Sequence, residues 1–485
     1  QGILNVLWEK KIYVTSFAKI QEKDIFVIRM QCSENLHDGG YHIWEKERLY
    51  LEASTECGIL YGIFDLLRML SLGKDLAGID VVRNPEMPLR MLNHWDNMDG
   101  SIERGYSGAS FFFQKNEILA GKRTCDYARM ISGVGINAIV INNVNVMGEA
   151  KKLITKKHMR KLNELSTILD SYGIKTFLSL NFMSPIDIGG LDSADPFNDE
   201  VRAWWKGIME ELFKNIKGLG GFLIKADSEG RPGPYLYGRT QADGANMLAK
   251  IIDPYHGIII WRCFVYNNMQ DWRDYETDRA KAGYDNFNHT DGEFLDNVIL
   301  QIKNGPMDFQ IREPVSPLLG SMRHTNQMLE VQLAQEYTGQ QIDLCYLVPL
   351  IKEVLEFRTY HAPKDTVADI ISGKAYGNHN TGIAAVSNTG DSVYWTGNPL
   401  AALNLYGFGR LSFDPGLTAE EIADEWIRLS LTSEEKVVSR IKKIIEGSRE
   451  TYEKYTSPLG IGWMVMPGEH YGCCVDGYEY SRFGT

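Results

Sequence analysis

Lys225, Asp227 and Glu229 sit at alternate positions in "GFLIKADSEGRPGP", where an apolar run gives way to a Gly- and Pro-rich loop. Strand side chains alternate faces, so one ammonium and two carboxylates are expected on a common face for as long as the strand lasts. Similar polar groups close other apolar runs. "RMLNHWDNMDGSIERGY" ends in Asn93, His94, Trp95, Asp96, Asn97 and Glu103, and "VINNVNV" carries Asn142, Asn143 and Asn145. "IIWRCF" places Arg262 inside an apolar stretch; "ILQIKNGPMDFQIREP" adds Lys303, Asp308 and Arg312, and "MLEVQLAQEY" adds Glu330 and Glu336. Paired carboxylates serve acid–base chemistry, cations hold an anionic group, and Trp with Asn suits the faces and hydroxyls of a sugar ring.

Taken singly, each group has a plain alternative. Arg262 reads as half of a structural ion pair and Glu330 as a structural partner. Trp95 reads as core, the Asn cluster as support for loop backbone, and His94 as either a core hydrogen bonder or a substrate contact. The chemical reading rests on convergence of many such groups at strand ends.

Such convergence requires a scaffold that gathers strand ends. Eight apolar runs occur between residues 88 and 412: "RMLNHW", "NAIVINNVN", "KTFLSLNF", "GFLIKAD", "GIIIWRCFVY", "NVILQIKN", "MLEVQLA" and "GIAAVSN". Helical patterns such as "HMRKLNELSTILDSYG" and "NDEVRAWWKGIMEELFKNI" alternate with them. Strands apolar on both faces belong to a covered parallel sheet, and eight of them predict a (β/α)8 barrel whose site lies at the C-terminal strand ends. An open doubly wound sheet is the competing arrangement, disfavoured because no glycine-rich phosphate fingerprint follows a strand.

An N-terminal α/β domain is expected over 1–83, the catalytic barrel over 84–412 and a helical region over 413–485. In the first, "IFVIRMQ" and "RLYLEAS" read as strands and "ECGILYGIFDLLRMLSLG" as a helix. In the last, Thr418 with Glu421 and Thr432 with Glu435 have capping-box spacing. The net charge of −12 argues against a broad nucleic-acid surface. Seven scattered cysteines with no CxxC pair argue against a disulfide framework or a zinc site. No apolar run is long enough to span a membrane. The opening residues lack the order of a secretory leader, and the chain does not begin with Met. The compartment is left unknown, with a cytoplasmic or periplasmic location favoured and secretion possible if a leader is absent from this chain.

"LNHWDNMDGSIERGYSG", "GFLIKADSEGRPGPYLYGRTQADGANMLA", "VILQIKNGPMDFQIREPVSPLLG" and "WMVMPGEHYG" with "VDGYEYSRFGT" resemble the xylan α-glucuronidases of glycoside hydrolase family 67. The resemblance runs from about residue 57 onward. It implies inverting hydrolysis of the α-1,2 bond between glucuronic acid, or its 4-O-methyl ether, and the terminal xylose of a xylo-oligosaccharide, without a cofactor or metal. It implies that Glu229 is the general acid and that Asp308 and Glu336 act around the water as general base. Lys225, Arg262 and Lys303 would bind the uronate; Trp95, His94, Asn143 and Asn145 would line the sugar pocket. Aldouronic acids derived from glucuronoxylan are the implied partners, and a homodimer is allowed. An inactive uronate-binding homologue is the competing reading, and a retaining glycosidase on the same barrel a third. The chain departs from the family in carrying Asp227 where Asn is common, which puts a negative charge two residues from the acid and would raise its pKa. Family members also continue beyond "YSRFGT", so the helical region is expected to be incomplete.

Overall fold

The computed structural model describes residues 26–228, 230–263, 279–306, 308–387 and 389–457. A four-stranded sheet comes first: β1 (Phe26–Met30), β2 (Tyr41–Glu45), β3 (Leu49–Ala53) and β4 (Asp80–Arg83), in the order β1-β3-β2-β4. The helix Glu56–Ser71 packs on this sheet and is capped by Thr55, whose hydroxyl accepts from the Gly58 N–H at 3.2 Å. Two strands expected from the sequence are present as β1 and β3; β2 and β4 complete the sheet.

Eight parallel strands then close into a barrel. They are β5 (Leu89–His94), β8 (Ala138–Val140), β9 (Lys175–Leu180), β10 (Leu219–Ile224), β11 (Ile258–Cys263), β12 (Val298–Lys303), β13 (Asn326–Gln332) and β14 (Gly382–Ser387). A small hairpin, β6 (Phe113–Gln114) and β7 (Glu117–Ile118), lies between β5 and β8; its turn residues Lys115 and Asn116 both have positive φ, as a tight hairpin turn requires. All eight expected barrel strands are present. The run "NAIVINNVN" yields only three strand residues because a side chain takes over the pairing. Asn142 Oδ1 accepts from the Ser179 N–H at 2.9 Å, and its Nδ2 donates to the Ser179 carbonyl at 3.2 Å.

Period-two alternation sorts each strand. Met91, Val140, Phe177, Leu223, Ile260, Ile299, Met328 and Ala384 fill the barrel interior. Their neighbours Leu92, Ile139, Leu178, Phe222, Ile259, Leu300 and Leu329 pack outward in the larger core. This parity carries forward to the strand ends, where it decides which polar side chains reach the mouth.

The chain then continues through the helices Ala402–Phe413, Ala419–Ser430, Glu435–Glu446 and Ser448–Thr456. The Thr418 capping box forms: Thr418 Oγ1 accepts from the Glu421 N–H, and the Glu421 carboxylate accepts from the Thr418 N–H. The second expected box does not. Thr432 Oγ1 instead accepts from the Glu434 N–H at 3.1 Å, the helix starts at Glu435, and it is interrupted at Gly447. The first sheet is fastened to these helices by buried charge. Asp65 accepts from Tyr41 and pairs with Arg68 and Arg83, while Glu425 pairs with Arg68 and Arg410.

Candidate active site

The C-terminal ends of β10, β11 and β12 each deliver one cation. Lys225, Arg262 and Lys303 are all buried, and each continues the inward parity of Leu223, Ile260 and Ile299. A buried ammonium or guanidinium is costly unless paired, and each has a partner. Lys225 Nζ donates to Asn145 Oδ1 at 2.9 Å. Arg262 Nε reaches both oxygens of Glu330, at 3.1 and 2.8 Å, with the two side chains only 3% and 1% exposed. Lys303 Nζ donates to Asp308 Oδ1 at 2.5 Å and lies 4.5 Å from the Phe309 ring centre. Trp95 packs among the interior residues, with the Arg262 guanidinium 6.0 Å from its ring centre. Beneath this layer Asn93 Nδ2 donates to Gln301 Oε1 at 3.2 Å.

The carboxylates follow β12 and β13. Asp308 is 29% exposed, with one oxygen held by Lys303 and the other by the Tyr337 hydroxyl at 2.7 Å. Glu336 is nearly buried. Arg104 Nη2 lies 2.5 Å from its Oε1, and Gln332 Nε2 donates to its Oε2 at 3.2 Å. Burial first, and the Glu336 charge second, push the nearby Tyr106 hydroxyl up to about 12. Left-handed backbone marks these loops: Asp227 (φ 50°), Phe309 (φ 56°) and Gln335 (φ 56°) each stand beside or near an expected catalytic carboxyl. Such a conformation costs a non-glycine residue roughly 1–2 kcal/mol, and local bonds offset it. Gln335 Nε2 donates to the Thr338 carbonyl, and the Gln335 carbonyl accepts from the Gln340 N–H.

Several expectations change. Glu229 lies outside the described residues. Asp227 does not share a face with Lys225. Strand β10 ends at Ile224, and the positive φ at Asp227 turns its carboxylate toward the helix Gln241–Ile252. There Oδ2 accepts from the Tyr235 N–H at 3.1 Å and from Gln241 Nε2 at 2.9 Å, and Gln241 Oε1 takes the Trp261 indole N–H. Burial pushes the Asp227 carboxyl up to about 6, against the pull of those donors. His94 is likewise not at the mouth. With Asn93 and Trp95 facing inward, it faces outward, fully buried against Phe112 and bonded through Nε2 to the Tyr127 hydroxyl at 2.9 Å. Asn143 is committed to the loop. Its Nδ2 donates to Asn97 and Glu103, and its Oδ1 accepts the Asn145 N–H. Arg104, Gln332 and Tyr337 are contributors that the sequence reading passed over. Tyr337 adjoins Glu336 in "QEY" and Arg104 adjoins Glu103, which was the available signal.

Among the described residues no three His, Cys, Asp or Glu side chains gather as a metal site. Nor is any described helix long and apolar enough to cross a membrane.

The closed parallel barrel, with acids and cations at its C-terminal mouth, places the chain among (β/α)8-barrel proteins. Its fold is similar to that of a GH138 enzyme targeting pectin rhamnogalacturonan II (TM-score 0.54, 14% identity, 88% of this chain and 51% of that one). It is also similar to a Streptomyces plicatus beta-hexosaminidase (TM-score 0.51, 11% identity, 84% and 82%). The descriptions "Glycosyl hydrolase family 67 middle domain" and "Glycosyl hydrolase family 67 C-terminus" match residues 69–395 and 396–485, and the chain belongs to glycosyl hydrolase family 67. Alpha-glucuronidase A of Emericella nidulans is 41% identical over 450 residues, covering 90% of this chain and 52% of that protein. A probable alpha-glucuronidase A of Aspergillus terreus is 42% identical over 439 residues, with the same two shares. The chain thus spans about half the length of the curated relatives it matches.

Proposed function

We propose that this protein is an α-glucuronidase. It hydrolyses, with inversion, the α-1,2 bond joining glucuronic acid or its 4-O-methyl ether to the terminal xylose of a xylo-oligosaccharide. The observation that carries the reading is the delivery of Lys225, Arg262 and Lys303 by three adjacent strands to the barrel end that also carries Asp308, bonded to Lys303, and Glu336, paired with Arg104. Three cations on one side match a uronate; charge-assisted hydrogen bonds are about twice as strong as neutral ones. In an inverting site a carboxylic acid protonates the leaving oxygen while a carboxylate on the opposite ring face activates water, the two groups roughly 6.5–9.5 Å apart. Glu229 takes the acid role by its place in the family motif. Asp308 and Glu336 orient and deprotonate the water.

The cations also account for selectivity. The protein's net charge of −12 repels a uronate at long range, but that field is screened beyond about 8–10 Å in ordinary salt. Recognition is therefore local. A substrate with CH₂OH in place of the carboxylate cannot add the charge-assisted hydrogen bonds that a uronate makes with these cations, so its kcat/KM should be far lower. The test compares 4-O-methylglucuronosyl-xylotriose with its α-glucosyl analogue, on the wild type and on Lys225→Met, whose removed ammonium is bonded to the neutral amide of Asn145. The wild type should release the uronic acid and scarcely touch the glucoside, and the substitution should narrow that gap. Comparable wild-type rates on both substrates, or an unchanged ratio in the variant, would sink the assignment.

A further inference from the structure

We propose that Glu103 and Arg104, consecutive residues on the loop after β5, are positioning residues for opposite halves of the mouth. Glu103 sets Lys225 through Asn145, and Arg104 sets the carboxylate of Glu336. The inference rests on the function proposed above.

The loop that presents them is tightly built. The Glu103 N–H donates to the Trp95 carbonyl at 3.0 Å, the Asn97 N–H to the Ser101 carbonyl at 2.8 Å, and Asp99 accepts from both the N–H and the hydroxyl of Ser101. From this base Glu103 Oε2 accepts from Asn143 Nδ2 at 2.7 Å and from Asn145 Nδ2 at 2.9 Å. A carboxylate only accepts, so it must face the NH₂ end of Asn145. The oxygen end is thereby turned to Lys225, which donates to it at 2.9 Å. Glu103 thus dictates the polarity of the Asn145 amide, and through it the place of the ammonium.

Arg104 acts on the other side. Its Nη2 holds Glu336 Oε1 at 2.5 Å while Gln332 holds Oε2, so two donors on two oxygens fix the plane of the carboxylate. Arg104 and Glu103 are 32% and 26% exposed, with Arg104 Nη2 3.9 Å from Glu103 Oε1. Partly exposed ion pairs contribute little to folding stability. That holds for the contact between Glu103 and Arg104; Glu336 is buried, so removing Arg104 also costs stability, and its positioning role is read from Arg104→Lys, which keeps the charge.

The test is steady-state kinetics of the full chain on 4-O-methylglucuronosyl-xylotriose, with Tm recorded for each variant. Arg104→Met should lower kcat about 100-fold, the scale of a misplacement near 1 Å, while KM stays within roughly threefold. Arg104→Lys should recover about tenfold of that loss. Glu103→Ala should raise KM roughly tenfold, with a smaller change in kcat. The same kinetic pattern in both residues, a lysine no better than methionine, or a loss in Arg104→Lys that follows Tm would overturn the proposal while leaving the function standing. A wild type that releases no glucuronic acid overturns the function and this inference together.

Discussion

Two ion pairs at the barrel mouth each join one cation to one carboxylate, in different surroundings. Arg262–Glu330 is sealed at both ends, joining the C-terminal residues of β11 and β13 inside the barrel. Lys303–Asp308 is sealed only at the ammonium; the carboxylate is 29% exposed and also bonded to Tyr337. The sealed pair cannot lose one partner without stranding a buried charge. The open pair leaves its acid accessible to water and substrate, where it can do chemistry. Burial separates the pair whose carboxylate is closed off from the pair whose carboxylate is open to solvent.

The sharpest way to break this comparison is to remove one carboxylate from each pair. Glu330→Ala should destabilise the protein by about 3–5 kcal/mol, because Arg262 is left uncompensated. Asp308→Asn keeps an oxygen facing the buried Lys303 and should cost less stability than that, yet lower kcat by roughly 10²–10⁴. Denaturant unfolding of both variants, with kinetics on the second, checks this. Equal losses of stability would remove the distinction.

Asp227 supplies the next largest effect. Its folded pKa, about 6, lies above its ordinary value of 3.8. Between those values the folded protein binds more protons than the unfolded chain, so this group's contribution falls as pH rises through that window. At ~1.4 kcal/mol per pH unit the change amounts to about 3 kcal/mol between pH 4 and 7. Asp227→Asn does not titrate and should gain that much relative to wild type over the same interval. Parallel stability–pH curves would show that Asp227 does not carry the effect.

Much of the fold was legible because parallel barrel strands are apolar on both faces and stand out as runs. The strands β2 and β4 were not. Each is short, and β4, at the edge of its sheet, buries none of its four residues. At the barrel mouth the placement of Lys225, Arg262, Lys303, Asp308 and Glu336 was legible, Glu229 lies outside the described residues, and two orientations were misread. Period-two counting from Met91 already sends His94 outward, and that signal was available. The turn of Asp227 was hidden, since its left-handed backbone depends on Tyr235 and Gln241, several residues further along the chain. Arg104 was hidden for a similar reason: Glu336, its partner, lies on a distant strand end.

The smallest prediction concerns the capping boxes, which have the same spacing and different structures. Thr418→Ala removes the hydroxyl that accepts from the Glu421 N–H and should cost about 1 kcal/mol. Thr432→Ala removes no such cap and should cost clearly less. Thermal unfolding under one buffer separates them; equal costs would mean that the second box contributes as the first does.

The most direct measurement of the central claim is proton NMR of 4-O-methylglucuronosyl-xylotriose during the first turnovers. An inverting site must deliver the uronic acid first as its β-anomer, with the α-anomer growing only by later mutarotation. Initial accumulation of the α-anomer would contradict a single displacement by water held at Asp308 and Glu336, and absence of any uronic acid would contradict the account as a whole.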